Sequence, residues 1–262
     1  MPRTKFSEAR ILARNKLPYL THQILSLVPI ERRGLGTMCV DKYLRVYYDP
    51  EFVNKTPLPE LAYVITHEAL HPLLLHHARA QGLIGVPPDQ KRKELFNLAA
   101  DCAVAEALKT SGLTEPEYAV TPSKLDLPSD LCMEQYFDAL LDREEQKQSD
   151  GQGQDQEGQG DSETEGGLPP EAEYNGPPPD RAKGEGGSGC DGLPKPWECG
   201  APDEEAPGYQ DYEQDMLRDA VAHAIEEAEK SGRGNVPGGL KRMAKGLLHP
   251  KVDPLRDIEA RL

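Results

Sequence analysis

Apolar positions recur at helical spacing in five stretches of this chain, and one stretch between the first two reads as paired strands. Residues 7–28 place Ile11, Leu12, Leu17, Leu20, Ile24 and Leu27 along a helix that Ser7 can cap and Pro18 should kink. Between Thr37 and Tyr48 the pattern shortens. Thr37-Met38-Cys39-Val40, a polar break at Asp41-Lys42 and the β-branched and aromatic run Tyr43 to Tyr48 spell a β-hairpin, which Asp49-Pro50 terminates. A long helix is expected from Pro59 to Ala80, with Leu61, Val64, Ile65, Leu70, Leu73 and Leu74 buried and Pro72 bending it. A loop over 82–89 leads to a helix over 90–110 that stops near Gly112, and a short helix over 133–141 closes the compact region. Helical periodicity resumes over 211–229 through Leu217, Val221, Ala224 and Ala228, followed by a Gly-rich turn at 232–239 and a basic stretch at 240–245. The fold class is therefore α+β, mainly helical, with one small hairpin.

Composition changes this picture in one region. Between Asp142 and Pro207 there are 18 acidic and 5 basic residues, so −13 of the total charge of −15 sits there. That stretch is Gly, Gln, Glu, Asp and Pro with few aliphatic side chains, too little apolar area to offset the entropy of ordering it. The expected organisation is a domain over 1–141, a disordered acidic linker over 142–208 and a C-terminal helical segment over 209–262. The folded parts are near neutral, so the acidity does not describe what they bind. No basic stripe with interleaved aromatics suggests a nucleic acid. No apolar run approaches a membrane span, and residues 1–10 hold no apolar signal-peptide core, so the cytoplasm is the expected compartment. Five cysteines without a C-x-x-C pair do not make a disulfide scaffold.

Four of the seven histidines fall between positions 67 and 77. His67 and His71 are four apart on one helical face, so their imidazoles can converge on a single ion. Glu68 follows His67, where it can reach a water on that ion without being a ligand itself. Zinc brings such a water to a pKa of about 7, and a carboxylate can then take its proton as it attacks a carbonyl.

A catalytic zinc takes three protein ligands and keeps one position open. Candidates for the third are His76, His77 and Asp101. His77 stands where the longer H-E-x-x-H-x-x-G-x-x-H motif has its third histidine, but Leu74 replaces the glycine that motif needs for its turn. On a continuing helix His76 and His77 face away from the ion, as solvent-facing or hydrogen-bonded residues. Asp101, on the next helix among small residues in Asn97-Leu98-Ala99-Ala100-Asp101-Cys102, is the favoured ligand, with orientation of an imidazole as its other role. Asn97, one turn earlier, can assist either way. Cys102 is read as core, and Cys190 and Cys199 as thiols in the linker.

An ordered series of segments resembles a family of metallopeptidase-like domains from bacterial and phage proteins. The segments are Pro18-Tyr19-Leu20, Asp49-Pro50-Glu51-Phe52-Val53, His67-Glu68-Ala69-Leu70-His71 with His76 and Arg79, Asn97 to Asp101, Gly234 to Leu240 and His249 to Asp253. In that family the domain typically precedes a von Willebrand factor A-like domain, whose D-x-S-x-S motif is absent from this sequence. The resemblance implies a zincin-like core, a peptide or protein substrate, and as partners a separate A-like protein or an AAA+ ATPase. Two functions follow from the residues. One is a zinc metallopeptidase with His67, His71 and Asp101 as ligands and Glu68 as general base, its substrate aligned along the hairpin strand. The other is a metal-stabilised interaction module without catalysis.

Overall fold

The computed structural model describes residues 4–151, 190–203, 205–232 and 235–250. Helix α1 (Lys5–Lys16) is capped by Thr4, whose side chain accepts the Ser7 amide, so the cap lies three residues before the one expected. The helix expected over 7–28 is broken by Pro18 rather than kinked. Leu17, held out of the helical region by the proline that follows it, ends α1, and a 3-10 turn at Pro18–Leu20 leads into α2 (Thr21–Ser26). Three short strands follow: β1 (Val28–Glu31), β2 (Met38–Val40) and β3 (Arg45–Tyr48). The hairpin is β2–β3, with Met38 opposite Tyr48 and Val40 opposite Val46, and β1 joins β3 in parallel to give the order β1-β3-β2. Strand β1 had no signature of its own, being four residues with a proline inside.

After α3 (Pro50–Lys55), α4 (Leu58–Leu73) runs through the middle of the molecule, and twelve of its residues are buried. Then come α5 (His76–Ala80), α6 (Gln90–Leu108), α7 (Met133–Gly151), α8 (Asp211–Ser231) and α9 (Gly238–Leu248). One core gathers α1, α2, the sheet and α4 together with Val221, Ile225 and Leu240 of α8 and α9. A second joins Phe96 and Ala99 of α6 to Tyr136 and Phe137 of α7. The helices of 209–262 that are described thus complete the core of the first 141 residues and do not stand apart from it. None of the described helices is long and apolar enough to cross a membrane.

The expected linker is shorter than 142–208. Helix α7 continues to Gly151, and residues 190–203 pack first on α6 and then on the sheet, while 152–189 fall outside the described residues. The reason is specific pairing that composition does not reveal. Trp197 sets its ring edge on Tyr47, 5.0 Å between centroids, and its carbonyl accepts from Arg32. Gly200 and Ala206 offer their carbonyls to Arg45, and the Tyr209 amide donates to the Tyr43 carbonyl.

Arg45 is fully buried, and its partner Asp41, 2.6 Å away, is equally enclosed. Asp41 also accepts the hydroxyl of Tyr47 and the amides of Tyr43 and Arg45, which holds the β2–β3 turn closed. Removing one member of a buried pair strands the other charge, at a cost of roughly 3–5 kcal/mol. Asp41→Ala should therefore lose about that much in urea denaturation, while Glu51→Ala, which removes the exposed Glu51–Lys55 pair, should lose under about 1 kcal/mol.

Candidate metal centre

The centre is built around an interruption that the sequence placed incorrectly. The helix expected over 59–80 ends at Leu73, and the chain turns at Leu75, which adopts a left-handed conformation with φ of 57°. Pro72 carries no amide hydrogen, which weakens the last turn, and the Leu75 amide bonds back to the Pro72 carbonyl. Two arginines satisfy exposed carbonyls at this end: Arg218 donates to Leu73 and Arg79 to Leu74. Arg79 also grips Glu134 with a forked pair of bonds that ties α5 to α7. The turn folds α5 back against α4.

His67 and His71 present their Nε2 atoms to one point, 3.0 Å apart, and Asp101 of α6 brings Oδ1 to 3.2 Å from the first and 3.4 Å from the second. These three donors form the group among the described residues that could hold a metal ion. Two imidazoles and one carboxylate suit a borderline-soft divalent cation of the zinc type and leave coordination positions open. Small residues on α6, Ala99 and Ala100, are fully buried and let α6 approach α4 closely enough for a short aspartate to reach across.

Glu68 lies beside this group and is almost wholly buried. One carboxylate oxygen accepts the Val40 amide of β2, and Oε2 has no partner among the described residues. Burial, and then the neighbouring Asp101 charge, push its carboxyl well above the ordinary carboxylate range. Burial also opposes ionisation of Asp101, but the hydrogen bonds from His67 and His71 outweigh it and hold that carboxyl well below its usual range. Burial lowers the pKa of His71, keeping its imidazole neutral and able to ligate.

The structure corrects the reading of the next two histidines. His76 and His77 are both buried, because the turn at Leu75 aims α5 inward where a continuous helix would have carried them outward. Neither joins the donor group. His76 Nδ1 lies 2.9 Å from His71 Nδ1, on the side of that ring away from the donor group, and burial lowers its pKa well below the usual imidazole range. His77 is pushed down to about 4 by burial and the proximity of His71, and its ring donates to the Val40 carbonyl. Val40 thus has its amide on Glu68 and its carbonyl on His77. Strand β2 is also buried along its length, so it does not offer the open edge expected for aligning a substrate.

Asn97 accepts from the thiol of Cys190, which is buried in the second core and is not a linker thiol, while Cys102 is core as expected. Tyr63 went unnoticed in the sequence. It stands one turn before His67, stacks on that ring at 6.3 Å, and buries a hydroxyl with no partner among the described residues. Its spacing of four from His67 was the available signal. The His71–His76 bond orients a ring whose other nitrogen faces the donor group, and loss of such support typically costs ten- to a hundredfold in metal affinity. His76→Ala should therefore weaken metal binding by about that factor in competitive titration, with His76→Asn recovering part of it.

An H-E-x-x-H helix that meets a carboxylate from a neighbouring helix, inside a mainly helical α+β domain, defines the class of metallopeptidase-like metal centres. The profile of a family described as "Putative metallopeptidase domain" matches residues 3–258, and the chain belongs to that family. Neither the curated proteins nor the solved structures returned a match.

Proposed function

We propose that the protein is a zinc-dependent peptidase. The reading is carried by the convergence of His67 Nε2, His71 Nε2 and Asp101 Oδ1 beside a buried carboxylate, Glu68, that is no part of the group. Zinc held there would supply a Lewis acid that acidifies water and polarises a peptide carbonyl. Glu68 takes the proton of the attacking water on Oε2, the oxygen without a partner, and passes it to the leaving amine. The Val40 amide anchors the other oxygen, so the base keeps one orientation through both transfers. His76 sets the His71 imidazole from behind, and Tyr63 stacks on that of His67. The substrate in this reading is a peptide or protein of the cytoplasm, delivered with a separate A-like protein or AAA+ ATPase.

One observation favours a second reading, a metal-stabilised interaction module. Glu68 is nearly inaccessible and bonded to the sheet, as a purely structural carboxylate would be. Incubating zinc-loaded protein with a broad peptide library separates the two. Cleavage that stops with chelator and returns with zinc supports the peptidase; stoichiometric zinc without cleavage supports the module.

A further inference from the structure

Behind the metal centre, at the far end of α4, lies a cleft of about 850 Å³. That volume is within the range of small-molecule sites, which combine apolar walls with a few convergent polar groups. Its walls include Leu73, Val236 and Leu240, all buried. We propose that this cleft binds an amphiphilic carboxylate, an apolar chain ending in a carboxyl group, and so forms a second ligand site distinct from the His67–His71–Asp101 group.

Three observations give the anionic end its place. First, α9 begins in the cleft wall at Gly238-Gly239, and Pro237 before it supplies no side-chain cap, so its first amides point out of the helix with no side-chain partner among the described residues. Second, Arg242 lies over that same turn, its guanidinium 3.4 Å from where a Cβ on Gly238 would stand, and it makes no ion pair among the described residues. Arg218 adds a second guanidinium, although its Nε is held by the Leu73 carbonyl and its Nη1 lies 3.6 Å from the Asp215 carboxylate. Third, His76 forms part of the wall, is fully buried, and has an Nε2 without a partner among the described residues. One proton is shared between the Nδ1 atoms of His71 and His76. That bond occupies Nδ1 and leaves Nε2 as the polar atom of the ring for a ligand to meet. Glu106 and Asp130 also line the cleft, but Glu106 is paired with Lys109 and accepts the Asp130 amide.

An apolar chain with a carboxylate end is carried by fatty acids and by the C-termini of hydrophobic peptides. Calorimetric titration of the full chain, metal-free and zinc-loaded, with octanoate, octanamide, acetate and N-acetylleucine distinguishes them. Octanoate or N-acetylleucine should bind at one site per chain, the tighter of the two identifying the source. Octanamide and acetate should bind at least tenfold more weakly. Arg242 is exposed, so Arg242→Gln should keep the melting temperature while weakening binding at least tenfold, and Lys245→Gln, outside the cleft, should leave it unchanged. No binding by either carboxylate, equal binding of octanamide, or full binding by Arg242→Gln overturns the proposal. Arg242-dependent binding to a protein that takes up no zinc would sustain this site while the metal reading fell.

Discussion

Glu68→Gln is expected to retain zinc and lose at least a hundredfold in peptide hydrolysis. A positioned general base contributes about 10²–10⁴ in rate, and an amide of nearly the same shape cannot take a proton. Glutamine can still accept the Val40 amide through its carbonyl oxygen, so the contact with β2 and the packing of α4 survive the exchange. Zinc affinity should change by less than a few fold, because Glu68 is not a member of the donor group. The effect belongs in kcat, measured alongside zinc content on the same preparation. A variant that cleaves as well as the wild type would remove Glu68 from the mechanism, and one that loses its zinc would make it part of the metal's support.

Removing the metal is expected to lower the melting temperature by about 10 °C. A ligand present at a thousand times its dissociation constant stabilises the folded state by about 4 kcal/mol, and a domain of this size shifts roughly 2–4 °C per kcal/mol. Without a cation, His71, His76 and His77 are buried imidazoles, and the bonds of His67 and His71 to Asp101 and of His71 to His76 are the polar ties that the centre itself gives α4, α5 and α6. The pH dependence has a definite sign. Burial holds the Glu68 carboxyl protonated above its ordinary range in the metal-free protein, and a nearby divalent cation favours the ionised form. Zinc uptake should therefore release a proton, and affinity should rise with pH through the range where Glu68 would otherwise keep it. Titration in buffers of different ionisation enthalpy reads the proton directly. Uptake without proton release would place the cation too far from Glu68 for the proposed chemistry.

What could be read from the sequence was set by local spacing. The pair four apart, His67 and His71, needed only a helix, and the small residues around Asp101 marked a close helix crossing. The β2–β3 hairpin was legible from its alternation and its polar turn. Features that depend on distant contacts were not legible. Strand β1 exists because β3 pairs with it, and residues 190–203 are ordered because Arg32, Arg45 and Tyr47 receive their backbone groups. The roles of His76 and His77 were hidden for a different reason. Pro72 was read as a bend within a helix, whereas the chain leaves the helix and turns three residues later through a left-handed leucine. That turn converts two apparently outward histidines into buried ones, and puts one of them on the back of His71.

The central claim is that Asp101 completes the metal site with His67 and His71. Zinc affinity of the wild type against Asp101→Ala, by competitive titration with a chromophoric chelator, tests it most directly. The wild type should bind one zinc per chain, and Asp101→Ala should bind at least a hundredfold more weakly while keeping its helical content. Wild-type affinity in Asp101→Ala, or a wild type that binds no zinc, would contradict the account.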